Sequence, residues 1–189
     1  LSPSPVWEAA TFGLAFGLAI ISTGDVDSDV FEDVLIGAPA TSGGGGVFLF
    51  RGRGAGLELT PSWDETIAGT GDEFGASLAL SETYLNGDPA VIVGAPGGIG
   101  GAYVYPRGVV GATLGAPTPY VPPVEFEYAG FGSTVVAAGN LDGSITRRDE
   151  IAISAPAAAG GGRVFLYPGV GDPATKPRVE VRLQPLHGG

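Results

Sequence analysis

The strongest constraint on this chain is that it repeats itself three times. Phe16-Gly17-Leu18-Ala19 is followed by Val34-Leu35-Ile36-Gly37-Ala38-Pro39 and then by Gly46-Val47-Phe48-Leu49-Phe50. The same order returns as Phe74-Gly75-Ala76-Ser77, Val91-Ile92-Val93-Gly94-Ala95-Pro96 and Gly101-Ala102-Tyr103-Val104-Tyr105. It returns again as Phe131-Gly132-Ser133-Thr134, Ile151-Ala152-Ile153-Ser154-Ala155-Pro156 and Arg163-Val164-Phe165-Leu166-Tyr167. The prolines are 57 and 60 residues apart, and each Phe-Gly precedes its proline by 23, 22 or 25 residues. A period of this length is the mark of a repeat architecture.

Each unit reads as four short strands. The Phe-Gly and Gly-Ala-Pro runs are small and apolar on both faces, as in strands sandwiched between neighbouring sheets. The third run places two aromatics on one face by the two-residue period. A fourth, half-exposed strand is expected from Leu57-Glu58-Leu59 through Trp63, and again over Val179–Leu183, where charged and apolar residues alternate. Glycine clusters at 43–46, 97–101 and 160–162 fall between the second and third strands, where hairpins need positive φ. Gly52–Gly56 reads as a turn between strands. No segment holds a helical period. The expected class is all-β, with about three four-stranded antiparallel propeller blades at about 12–66, 67–125 and 126–186. Trp7-Glu8 resembles Trp63-Asp64, so residues 1–10 read as an outer strand of an adjoining blade, and both tryptophans are expected to pack between blades.

Phe-Gly followed by Gly-Ala-Pro resembles the FG-GAP repeat of integrin α-subunit propellers and of many secreted bacterial proteins. The resemblance runs from about Phe16 to Leu183, with Ser154 in place of the glycine in the third unit. It implies one FG-GAP propeller domain over 1–189. Three blades are too few to close a ring of four to eight. Further blades in a longer chain, or self-association of copies, are therefore expected.

Between the first two strands lies Asp25-Val26-Asp27-Ser28-Asp29-Val30-Phe31-Glu32-Asp33. Carboxylates at positions 1, 3, 5 and 9 of such a loop can converge on one hard cation, and oxygen-only ligation favours Ca²⁺. An EF-hand is excluded, because Val30 and Ile36 stand where its glycine and final glutamate belong. The spacing resembles the calcium loop of integrin-type blades, which implies Asp25, Asp27, Asp29 and Asp33 as side-chain ligands and Phe31 through its carbonyl. Val30 replaces the glycine common there, so the turn is expected to carry strain. Glu32 is expected to be solvated. The second unit lacks the pattern, with Ala90 at the place of Asp33 and Asn86-Gly87 as a tight turn. The third offers Asn140, Asp142, Ser144 and either Asp149 or Glu150 as a weaker site, or else a turn whose acids are neutralised by Arg147 and Arg148.

Composition narrows the function. There is no Cys and one His (His187), which removes thiol catalysis, Cys-ligated metals and His-cluster sites. The net charge of −11 repels nucleic acid and membrane phosphate. The apolar stretch from Ala9 to Ile21 is too short for a membrane helix and follows Glu8 rather than a basic region. No nucleophile elbow or phosphate loop is present. The expectation is a calcium-binding, non-catalytic binding or adhesion module, extracellular or at the cell surface, with a protein or glycan ligand. The alternatives are a lectin, or an accessory or catalytic propeller domain of a secreted hydrolase.

Overall fold

The computed structural model describes residues 7–8, 13–67, 71–84, 87–107, 113–141, 143 and 148–169, together with the backbone of 179–182. The first unit contains β1 (Ala19–Gly24), β2 (Asp33–Ala38), β3 (Gly46–Phe50), a small ribbon of β4 (Gly52–Arg53) and β5 (Gly56–Leu57), and β6 (Trp63–Thr66). The second contains β7 (Ser77–Ser81), β8 (Ala90–Ala95), β9 (Gly101–Pro106) and β10 (Thr118–Tyr120). The third contains β11 (Val135–Ala137), β12 (Ile151–Ala155), β13 (Arg163–Tyr167) and β14 (Val179–Arg182). They form three four-stranded antiparallel sheets in the orders β1-β2-β3-β6, β7-β8-β9-β10 and β11-β12-β13-β14. Among the described residues the one helical segment is a 3₁₀ turn at Val124–Phe126.

Register is conserved from blade to blade. Gly37 faces Val47, Gly94 faces Ala102 and Ser154 faces Val164. With register fixed, the two-residue period sorts apolar side chains between blades. In β8, Val91 and Val93 pack with Leu35, Val47 and Leu49 of the first blade, while Ala90 and Ile92 pack with Ile151, Ile153 and Phe165 of the third. Both faces of the middle sheet are thus buried, which is why its strand reads as an unbroken apolar run. The inner strand β1 departs from that expectation: Ile20, and Leu18 just before the strand, are 60% and 64% exposed, because no described blade lies against them.

The Phe-Gly motifs do not lie in strands, as the sequence led us to expect. They form turns just before β1, β7 and β11, with the glycines at φ +89°, +92° and +99°. Their role is to close the seams. Gly75 approaches Gly37 so closely that a Cβ on Gly37 would lie 2.0 Å from the Gly75 carbonyl oxygen. Gly94 stands in the same relation to Gly132, at 2.1 Å. Ser77 Oγ also donates to the Gly132 carbonyl across the second seam (2.8 Å).

The fourth strand of the first blade is another correction. It begins at Trp63, and Leu57 belongs to the β4–β5 ribbon, because Glu58 N–H turns back to the Arg51 carbonyl. Trp63 packs edge-on against Tyr105 of the next blade (ring centroids 5.6 Å apart), as expected for a residue between blades. Trp7 meets Phe50 in the same way at 5.2 Å, and Tyr120 meets Tyr167 at 5.0 Å. Tyr120 is the third member of this set, standing eleven residues before Phe131 as Trp63 does before Phe74. Apart from Trp7 and Glu8, residues 1–10 lie outside the described residues, as do Asn86, Arg147 and His187.

Buried tyrosines give the fold an alkaline limit. Burial raises the phenols of Tyr84 and Tyr105, and pushes that of Tyr167 up to about 12. Unfolded tyrosines ionise near 10. The unfolded chain therefore loses protons first, so the contribution of these groups is complete below about pH 10 and is lost as pH rises toward 12. Phenolate absorbance from these tyrosines should accompany unfolding, rather than precede it, in an alkaline titration followed by circular dichroism.

Candidate metal centre

The acidic loop connects β1 to β2, and its backbone is folded by its own carboxylates. Asp25 Oδ1 accepts the N–H of Asp29 (3.0 Å) and Oδ2 that of Val30 (2.8 Å), while Asp29 Oδ1 accepts that of Phe31 (3.0 Å). Short acidic side chains compete well for nearby backbone donors, and this sets the turn. Ser28 and Val30 take φ of +64° and +75°. For the β-branched Val30, 85% exposed, this is the strain expected from the missing glycine.

Asp33 is buried at the base. Its two oxygens accept the N–H groups of Val26 and Gly52, both at 2.9 Å, so it ties the loop to the end of β3. Gly52 fits there because it lacks a side chain: a Cβ would lie 2.2 Å from the Glu32 carbonyl oxygen. Burial, together with the charges of Asp27 and Asp29, raises the Asp33 carboxyl against those two hydrogen bonds. At Asp25 burial acts in the same direction, but the N–H groups of Val30, Asp29 and Ser28 and the charge of Arg107 hold the carboxyl below its usual range.

One carboxylate oxygen from each of Asp25, Asp27 and Asp29 converges within 4.8 Å of the others. The Asp27 side chain is only 10% exposed, and its Oδ1 is buried without a hydrogen-bond partner. An orphaned anionic oxygen on one of three converging carboxylates fits a hard cation, since every donor is an oxygen and none is soft. Asp33 stands behind this trio as an anchor. Glu32 is exposed, as expected, and accepts Ser22 Oγ at 2.7 Å.

Sequence reasoning missed Arg51 and Arg53. Arg51 Nε lies 3.1 Å from Asp27 Oδ2. Arg53 Nη1 pairs with Asp29 and lies 3.6 Å from Asp27 Oδ2, and its other edge is held by Glu58 (Nη2 2.7 Å, Nε 3.0 Å). Their spacing of two along an extended segment was the available signal, because it puts both on the face that carries the loop.

The third-unit loop is built on the same anchor. Glu150 Oε2 accepts Leu141 N–H (2.6 Å), as Asp33 accepts that of Val26, and Gly169 meets the Asp149 carbonyl as Gly52 meets that of Glu32. Asp149 faces away, accepting Ser81 Oγ (2.8 Å) and Thr83 Oγ1 (3.0 Å) of the second blade. Asp142 and Ser144 lie outside the described residues, and Asn140 shares the repeat position of Asp25.

Comparison with known proteins agrees with this architecture. No family model matches the chain. Integrin alpha-IIb of Homo sapiens is 41% identical over 86 residues, covering 43% of this chain and 8% of the relative. The chain is similar to integrin α subunits. Integrin alpha-IIb of Mus musculus is 38% identical over 103 residues, covering 52% of this chain and 10% of the relative. Integrin alpha-5 of Xenopus laevis is 37% identical over 94 residues, covering 43% and 8%. The chain thus spans a tenth or less of the length of these integrin α relatives.

Proposed function

We propose that this chain is a calcium-stabilised, non-catalytic binding or adhesion module of integrin type, working outside the cell or at its surface. The observation that carries the reading is the loop itself. The carboxylates of Asp25, Asp27 and Asp29 converge, and Asp27 Oδ1 is buried without a hydrogen-bond partner, in the first inter-strand loop of an FG-GAP unit. Asp25, Asp27 and Asp29 would supply side-chain oxygens and Phe31 its carbonyl, with Asp33 reaching the ion only by a lone pair left beside its bonds to Val26 and Gly52. Bound there, calcium would tie β1 to β2 and neutralise charges that otherwise oppose folding. The loop of Asn140, Asp142, Ser144 and Glu150 would be a weaker second site.

A protein or glycan partner would then be held by loops at one end of the blades. Trp7 and Trp63, the side chains best suited to stack on a sugar, are both engaged in aromatic packing, which favours a protein partner. Exposed Ile20 on β1, with Leu18 just before it, favours coverage of that face by another blade, of this chain or of a second copy. Among the described residues no helix is long and apolar enough to cross a membrane.

The test is a thermal melt in millimolar Ca²⁺ and in EDTA, for the wild type and Asp29→Ala. Calcium at about 100 times its dissociation constant should add about 2.7 kcal/mol, or roughly 5–10 °C. Asp29→Ala should remove most of that gain. Coincident wild-type melts would overturn the metal reading.

A further inference from the structure

We propose that Arg51 and Arg53 are built-in counter-ions of the acidic loop that compete with the cation and set its affinity low. The inference rests on the calcium reading above and concerns the regulation of that same site. A cation taken up by the unpartnered Oδ1 of Asp27 and by Asp29 must share both carboxylates with the guanidinium groups that lie at their Oδ2 atoms. The fold delivers those groups without choice. Gly52 N–H is fixed on Asp33, so the residues on either side of it both project toward the loop.

Comparison between units separates this charge pair from the needs of the fold. In the third unit the same anchor exists, with Gly169 against the Asp149 carbonyl, yet Pro168 and Val170 stand where Arg51 and Arg53 stand in the first. Packing of a strand end against such a loop therefore does not require arginine. The arginines accompany the loop with the greatest density of acids.

The structure also supplies a resting place for the displaced side chain. Arg53 keeps two contacts to Glu58 that involve neither Asp27 nor Asp29, so it can release Nη1 from the loop while remaining paired. Glu58 and the cation thus pull in the same direction. Arg53 moves toward Glu58 as the ion enters and returns to Asp29 as it leaves. The result is a loop that keeps its shape at low calcium and fills only at high calcium.

The experiment is isothermal titration of the chain with CaCl₂, comparing wild type with Arg53→Gln, Arg53→Lys and Glu58→Gln, alongside melts in EDTA. Arg53→Gln should bind calcium about three- to tenfold more tightly, and should melt lower in EDTA because Asp27 and Asp29 lose a counter-ion. Arg53→Lys should stay close to wild type. Glu58→Gln, an exchange at a part-exposed pair, should weaken calcium by freeing Arg53 for Asp29. Binding by Arg53→Gln alone would support the inference in its strongest form. Equal or weaker binding by Arg53→Gln, with wild type binding normally, overturns it and leaves the calcium reading intact. No binding by any variant overturns the calcium reading itself.

Discussion

Gly94→Ala should cost about 3 kcal/mol or more and lower the melting midpoint by roughly 6–12 °C. Gly94 has ordinary strand dihedrals, so the penalty is not conformational. A Cβ at this position would sit 2.1 Å from the Gly132 carbonyl oxygen and 2.2 Å from Ser77 Oγ. The first of these is backbone, at the turn where the third blade meets the second, and it cannot rotate aside. Relief requires the two blades to separate, which would loosen the apolar cluster that holds Ile92, Phe131 and Ile153 together. The comparison that makes the test specific is Ser154→Ala. Ser154 fills the same place in its own unit as Gly94 does, and its Oγ accepts the N–H of Thr134 at 2.9 Å. Losing that bond should cost about 1 kcal/mol. Urea denaturation of both variants would measure the contrast, and equal losses would show that the seam does not depend on the glycine.

Phe131→Ala should be the most damaging core truncation, at about 3–5 kcal/mol, a large part of the stability a domain this size possesses. Phe131 is fully buried, its ring lies 5.5 Å from that of Phe165 and 6.3 Å from that of Tyr167, and its carbonyl accepts Gly101 N–H from the second blade (3.0 Å). Phe16 is the same motif residue in the first unit but only half-buried, with its ring 6.0 Å from Phe48. Phe16→Ala should cost about half as much or less, because less contact is lost. Differential scanning calorimetry on the two variants checks the ranking. Phe131→Ala and Gly94→Ala act on one seam, so their effects should not add.

Much of this architecture was legible because it rests on local periodicity. The third run of each unit alternates so that Phe48 and Phe50, Tyr103 and Tyr105, and Phe165 and Tyr167 share a face, and each pair packs in a single cluster. Clustered glycines marked the hairpins, and Gly43, Gly98 and Gly160 indeed take positive φ. The acidic loop was readable from spacing alone, since carboxylates two apart in a short turn stay close together wherever the turn lies.

What was not legible depended on partners distant in sequence. Leu57 had the alternation of an outer strand, but Trp63 won the place beside β3 by packing on Tyr105 of the next blade. Phe-Gly looked like strand because it is small and apolar, yet its position is set by an approach between backbones that no propensity records. Arg51 and Arg53 share a face by their spacing, but their role follows from Gly52 being held on Asp33, 19 residues earlier.

Repeat period, two-residue alternation and glycine placement were enough to read the number of blades, the second and third strands of each and the loop that gathers acids. Which equivalent residues are equal in fact depends on the packing of one blade against the next. Gly94 is enclosed by the next blade while Ser154 has room for a side chain, and Phe131 is sealed while Phe16 is partly open. The physical reason is that a repeat copies residues but not neighbours, and burial, close approach and charge pairing belong to the neighbours.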